Sequence, residues 1–171
     1  LDSAKDINSH SFLVCEGYDE EVDKPFDIKK EYDVSFIGSI YGDRQKIIDS
    51  IDRDVKIISG VFGRNHAREV SKTKINLNFC TSGGASDRVY KIMAAGGLLL
   101  TNDWKGREES FVDGKDCVIF KDIDDLNEKI DFYLSNPELS NNIAMSGLKS
   151  VQKFNRKSWA KNIVKLSNET K

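Results

Sequence analysis

Lys74-Ile75-Asn76-Leu77-Asn78-Phe79 runs into Cys80-Thr81-Ser82-Gly83-Gly84-Ala85, then Ser86-Asp87-Arg88-Val89-Tyr90-Lys91-Ile92-Met93-Ala94-Ala95, and after Gly96-Gly97 into Leu98-Leu99-Leu100-Thr101. From Ile75 to Phe79 polarity alternates with period two, a strand signal. Ser86 to Ala95 reads as a helix, with Ser86 as a residue able to cap it. Val89, Ile92, Met93 and Gly96 share the face that would pack on a sheet. The glycine pair stops the helix, and Leu98 to Thr101 is an apolar strand.

The alternation continues on both sides. Val34 to Gly38 is a short β-rich run, and Arg44 to Ile51 places Ile47, Ile48 and Ile51 at helical spacing. Val55 to Ile58 is strand-like, and Ala67 to Lys72 predicts one or two helical turns. Cys117 to Phe120 is another apolar strand. Asp122 caps a helix with Ile123, Leu126, Ile130 and Tyr133 on one face. Asn136-Pro137 is an N-cap followed by proline at the first helical position, opening a helix toward Val151. A last helix covers Ser158 to about Ser167. Strands alternating with helices indicate an α/β fold with a parallel sheet, and short apolar strands suit a sheet covered by helices on both faces. Such sheets bind ligands at the carboxyl ends of the strands, where strand order reverses. Four loops qualify: after Ile37, after Phe79, after Thr101 and after Phe120.

Composition narrows the function classes. The chain has 171 residues, 39% of them apolar, enough for one core. Its 26 basic and 28 acidic residues are intermixed and give a net charge of −2, which argues against a nucleic-acid binder driven by bulk charge. No apolar run approaches the ~20 residues of a membrane span, and no signal peptide opens the chain. Cys15, Cys80 and Cys117 are odd in number and far apart, which reads as reduced thiols in a cytoplasmic protein. Without a Cys-x2-Cys pair, and with His10 and His66 remote from the cysteines, no metal site is expected. Residues 1–30 differ from the rest: they mix acids with the apolar patch Phe12-Leu13-Val14-Cys15 and hold Pro25. They read as a linker or crossover segment, and residues 31–171 as the folded domain.

Three segments are candidates for chemistry. In the first, Gly83 and Gly84 let the backbone approach a ligand, and the helix start at Ser86 offers N–H groups and the positive end of a dipole to an anion. Arg88 and Lys91 share another face, and two cations near a helix start oppose its dipole, so a bound diphosphate would account for them. Equally, Asp87 and Lys91 at i and i+4 can form a surface ion pair with Arg88 solvated. The second segment is Phe36-Ile37-Gly38-Ser39-Ile40-Tyr41-Gly42-Asp43-Arg44. It lacks the Gly-x-Gly-x-x-Gly of a dinucleotide loop and the Gly-Lys-Ser/Thr of a Walker A loop, leaving a looser phosphate or sugar loop or a plain turn. The third, Thr101 to Phe111, carries Glu108 and Glu109, either hydroxyl-binding groups or first-turn helix acids. His66, flanked by Arg64, Arg68 and Glu69, reads as a surface or edge histidine. No complete set of catalytic residues stands out.

Taken together, these segments resemble a family. Ser86-Asp87-Arg88-Val89-Tyr90-Lys91-Ile92-Met93-Ala94-Ala95-Gly96-Gly97-Leu98-Leu99-Leu100-Thr101 is similar to the donor-site motif of GT-B-fold glycosyltransferases, nearest the CgeB-like, group 1 type. Tyr32 to Ser39 looks like the first strand of that family's C-terminal half, Lys74 to Phe79 like its Lys-Ile-Asn-Leu-Asn-Phe strand, and Asp122 to Val151 like its tail. The resemblance implies a Rossmann-like, C-terminal half of a GT-B enzyme that grips a nucleotide-diphosphate-sugar donor without a metal or other cofactor. A separate N-terminal domain would hold the acceptor. By resemblance, Gly38, Ser39, Gly84, Ser86, Arg88 and Lys91 face the donor phosphates, and Glu108 and Glu109 the sugar. Related retaining enzymes carry two glutamates with seven residues between them. Those positions here are Gly83 and Lys91. The competing expectations are a non-catalytic binding or scaffold module and a nucleotide-sugar epimerase half.

Overall fold

The computed structural model describes residues 17–81 and 83–169. The expectations for His10, for Phe12 to Cys15 and for Ser82 lie outside the described residues. Five strands, β1 (Tyr32–Ile37), β2 (Val55–Ile58), β3 (Thr73–Asn78), β4 (Leu98–Asn102) and β5 (Val118–Phe120), form one parallel sheet in the order β2-β1-β3-β4-β5. Six α-helices accompany them among the described residues: α1 (Arg44–Asp49), α2 (Arg64–Lys72), α3 (Asp87–Ala94), α4 (Ile123–Ser135), α5 (Pro137–Ser150) and α6 (Arg156–Glu169).

Connection handedness sorts the helices. The step from β1 to β2 runs one way across the sheet, and the later steps run the other way. Right-handed crossovers therefore put α1 on one face and α2 and α3 on the other. Two apolar clusters result. Ile48 of α1, Leu126 and Ile130 of α4, and Ile143 of α5 pack on Val34, Phe36, Ile75, Leu77, Leu98 and Leu100. Ala67 and Val70 of α2, with Val89, Ile92 and Met93 of α3, pack on Ile37, Leu99 and Ile119. The expected Rossmann-like sheet with helices on both faces is present.

Local details depart from the sequence reading in instructive ways. The polarity of β3 alternates, but its burial does not: Asn76 and Asn78 are as buried as Ile75 and Leu77. A central strand has no wet face, so these amides need internal partners. Asn76 Nδ2 donates to the Val70 carbonyl of α2 at 3.4 Å. A Cβ on Gly97 would stand 2.8 Å from that same Nδ2 and 2.5 Å from Val70 Cγ1, which keeps this position glycine. Asp122 caps α4 as expected, accepting from the Asp125 N–H at 2.9 Å. Asn136 does not cap α5. It ends α4 instead, its Nδ2 donating to the Phe132 carbonyl at 2.7 Å, while Pro137 opens α5. Ser86 does not cap α3 either. Helix α2 begins at Arg64, earlier than periodicity indicated, immediately after Gly63 with φ 56°.

The described part of the first segment lies against the domain. Tyr18 bridges to Asn155 just before α6, and the Phe26 N–H donates to Ser71 Oγ of α2 at 3.1 Å. Cys80 and Cys117 are buried free thiols. No helix among the described residues is long and apolar enough to cross a membrane.

Candidate anion-binding site at the strand switch point

In the order β2-β1-β3, the chain leaves β1 toward one edge and β3 toward the other. Their following loops diverge, and this is where such sheets take ligands. Two arginines meet at that point from opposite faces. Arg44, at the start of α1, is buried; its Nη1 donates to the Ser39 carbonyl at 2.9 Å and its Nη2 to the Phe79 carbonyl at 3.4 Å. Its guanidinium lies 3.8 Å from the Tyr41 ring centre and 5.5 Å from that of Phe36. Arg88, in the first turn of α3, lies 5.1 Å from the same Phe36 ring, and its Nη1 donates to Asn78 Oδ1 at 3.0 Å.

Gly38 makes room for this. A Cβ there would stand 2.5 Å from Arg88 Nη2 and 2.9 Å from its Cζ. The glycine of the β1 loop is thus the floor on which the Arg88 guanidinium rests.

Among the described residues, neither arginine is ion-paired; their hydrogen-bond partners are carbonyls and a carboxamide. Burial, and then Arg44, pull the Arg88 pKa below its ordinary value, yet a guanidinium keeps its proton in proteins. The carboxylate whose charge reaches Arg88, that of Asp87, is already bonded to Lys91, and two crowded, partly desolvated cations so incompletely matched cost stability unless an anion joins them. Arg44 Nε is moreover buried without a partner. His66 of α2 adds to the pattern. Contrary to the surface reading it is only 8% exposed, and its Nδ1 also lacks a partner. Burial, helped by the charges of Lys91 and Arg88, holds its pKa down to about 4, so it is neutral at pH 7.

The start of α3 completes the site. Ser86 Oγ donates to Asn78 Oδ1 at 3.0 Å, which leaves the first-turn N–H groups without a side-chain cap. The preceding loop is pinned: Gly84 N–H donates to the Thr81 carbonyl at 3.3 Å, and Lys105 N–H to the Gly83 carbonyl at 3.0 Å. Gly83 adopts φ 72°, a region that favours glycine. Beside Arg44 a cleft of about 340 Å³ opens between Tyr41, Phe79, Thr81, Asn102 and Phe120, at the carboxyl ends of β3, β4 and β5. A second cleft, bounded by Tyr133, Pro137 and Ala144, lies at the opposite end of the sheet.

Of the residues singled out in the sequence, the fold brings Gly38, Ser86 and Arg88 together. Gly84 lies in the loop leading to Ser86, and Ser39 is exposed but lends its carbonyl to Arg44. Lys91 instead donates to Asp87 at 2.5 Å and borders a separate cleft beside Arg156 and Trp159. Because α3 has only eight residues, Lys91 also falls in its last turn, where a cation suits the dipole. Glu108 and Glu109 are exposed on a 3-10 turn, Arg107–Glu109, and sit there as first-turn acids. Sequence reasoning missed Arg44, Asn78 and His66. The signal available for Arg44 was a cation opening a helix directly after a glycine turn.

Comparisons with known proteins bear on the family and the fold. A family model described as glycosyl transferase-like matches residues 23–166. No curated protein matches the sequence. Among solved structures, HepE from Anabaena, in complex with UDP and glucose, superposes with a TM-score of 0.75 at 11% identity, covering 92% of this chain and 57% of that one. Sucrose-phosphate synthase from Thermosynechococcus elongatus gives 0.74 at 13% identity, over 93% of this chain and 52% of that one. The C-terminal domain of LpcC, a glycosyl transferase group 1 family protein from Francisella tularensis, gives 0.63 at 16% identity, over 82% of this chain and 100% of that domain. At these identities the likeness speaks for the fold, that of the C-terminal domain of a GT-B protein, and this chain spans little more than half the length of the first and second of these proteins. With the family match spanning most of its length, the chain belongs to the glycosyl transferase-like family.

Proposed function

We propose that this chain is the donor-binding half of a sugar-transferring enzyme, holding a nucleoside-diphosphate sugar while a separate acceptor-binding domain presents the nucleophile. The observation that carries the reading is the meeting of Arg44 and Arg88 over Phe36, with neutral partners only. A diphosphate set between these guanidinia and the open start of α3 receives charge-assisted hydrogen bonds. As the bond from sugar to phosphate breaks, negative charge grows on the leaving diphosphate, and fixed cations there favour the transition state. The proposed donor wall is Gly38, Ser39, Gly84, Ser86 and Arg88, extended by Arg44. Lys91, held by Asp87, stands at its margin, and Glu108 and Glu109 are proposed at most as outer sugar contacts. Catalysis by this chain alone is not expected, because the acceptor side is assigned to another domain. A cytoplasmic setting is part of the same proposal, supported by the free thiols.

UDP is the first ligand to test because HepE is described in complex with UDP. Calorimetry with UDP, GDP and ADP on the chain is expected to show weak binding of at least one. No heat with any of them at millimolar concentration overturns the reading. The second reading, a non-catalytic binding module, is favoured by the absence of carboxylates at Gly83 and Lys91. A protein that joins this chain to an acceptor domain, binds nucleotide and transfers no sugar would decide for it.

A further inference from the structure

The motif Lys74 to Phe79 contributes more than a strand. We infer that Asn78 is the positioning residue of the anion site: its carboxamide sets both the Arg88 guanidinium and the open start of α3. The inference rests on the proposed function of that site.

Asn78 is fully buried at the last position of β3, the strand bordering the switch point. All four hydrogen-bonding directions of its carboxamide are used. Oδ1 accepts from Arg88 Nη1 and from Ser86 Oγ, each at 3.0 Å. Nδ2 donates to Thr101 Oγ1 at 3.1 Å and to Cys80 Sγ at 3.3 Å. Its donor side is thus anchored to β4 and to the loop after β3, and its acceptor side to the start of α3. A carboxamide is well chosen for this. It fixes the guanidinium by a hydrogen bond without neutralising it, whereas a carboxylate would supply the counter-charge that the ligand must bring. The bond to Ser86 has a second consequence. It draws away the hydroxyl that would otherwise fold onto the first-turn N–H groups, leaving those of Asp87 and Arg88 to an anion while the Val89 N–H donates to the Ser86 carbonyl at 3.1 Å. A purely architectural amide would need neither contact: Asn76, two residues earlier, bonds only toward the Val70 carbonyl of α2.

The test is a double-mutant cycle on UDP affinity, with thermal melting of each variant as the fold check. Arg88→Ala is expected to weaken UDP roughly 10-fold or more, the size of a lost charge-assisted hydrogen bond. Asn78→Ala is expected to weaken it severalfold alone and to add less than about twofold to Arg88→Ala, because coupled neighbours are non-additive. Asn78→Asp keeps the size and the acceptor oxygen, so it preserves the fold where alanine does not, and its charge is expected to weaken UDP at least as much as Asn78→Ala. A lowered melting temperature with unchanged affinity in both Asn78 variants would show a structural role and overturn the inference, leaving the proposed function intact. Full additivity in the cycle would overturn it too. Wild-type chain that binds no nucleotide would overturn the inference and the proposed function together.

Discussion

The two ends of the sheet treat their cations differently. At the amino ends, Lys74 lies 2.6 Å from the Asp33 carboxylate, and Lys72 lies between Glu69 at 3.2 Å and Glu31 at 3.5 Å. At the carboxyl ends, Arg44 is buried and Arg88 half-buried, yet their hydrogen-bond and ring partners are carbonyls, an amide and aromatic rings, and Asp87, whose charge reaches Arg88, is bonded to Lys91 instead. Exposed ion pairs such as Lys74 with Asp33 contribute little to stability. Unmatched buried cations cost stability, and a fold retains them where an outside anion supplies the missing charge. The difference supports the carboxyl ends as the proposed ligand-binding end.

The largest expected effect concerns His66, held neutral by burial first and then by the charges of Lys91 and Arg88. Its folded pKa of about 4 lies below the ordinary 6.5. The unfolded chain therefore binds this proton more readily than the folded one. The stabilisation is complete above pH 6.5, declines as pH falls, and is lost below about 4. The full difference is worth about 3 kcal/mol. His66→Gln removes the titration, so its melting temperature is expected to fall less steeply than that of wild type between pH 6.5 and 4. Parallel acid limbs for the two proteins would show that His66 is not held neutral at that end of the sheet.

Next in size is Arg88→Ala against Lys74→Ala. The first is expected to reduce UDP affinity by about 1.5–3 kcal/mol with little change in melting temperature. The second, at the matched end, is expected to leave affinity unchanged and shift stability by at most about 1 kcal/mol. Equal effects of the two on UDP binding would erase the distinction between the ends.

Gly38→Ala sharpens the comparison without touching a charge. The new methyl would stand 2.5 Å from Arg88 Nη2, the far end of a flexible side chain. The guanidinium is expected to move away, at small cost to the fold. UDP affinity then drops severalfold in calorimetry, by less than for Arg88→Ala. Wild-type affinity in this variant would show that the ligand does not depend on where the guanidinium rests.

The sequence made one part of this legible. Val89, Ile92 and Met93 at helical spacing, bounded by Gly96, marked α3, and the motif led to Arg88 and Gly38. Arg44 escaped because its burial depends on topology: only once β1 turns outward and β3 turns inward does α1 bring it over Phe36 to face a residue on the opposite layer. No local pattern carries that. His66 escaped for a smaller reason. Gly63 starts α2 earlier than Ala67, which turns the histidine inward. Asn78 was visible as the polar beat of an alternating strand, and alternation normally signals a wet face. In a central parallel strand, the same pattern signals buried amides: Asn78 finds partners in every direction, while Asn76 bonds through Nδ2 and leaves Oδ1 without one.

The smallest effect belongs to Lys91, one helical turn along from Arg88. Both are cations on α3, but Lys91 is matched: its Nζ lies 2.5 Å from Asp87 Oδ2. Burial works the other way, but the Lys91 hydrogen bond and the charges of Lys91 and Arg88 hold the Asp87 carboxyl below its usual range. The pair is thus locally neutral and resembles the amino-end pairs more than its neighbour. Lys91→Ala is expected to cost about 0.2–0.5 kcal/mol of stability, the worth of a helical i, i+4 pair. UDP affinity is expected to stay within about twofold, a change of under 0.5 kcal/mol. Removing the lysine frees the Asp87 carboxylate beside the start of α3, so any loss of affinity larger than this should shrink in added salt. Titration at two salt concentrations, beside an Asp87→Ala and Lys91→Ala double variant, separates the two causes. A tenfold loss that persists in the double variant would place the diphosphate against Lys91, and the boundary between matched and unmatched cations would move one turn along α3.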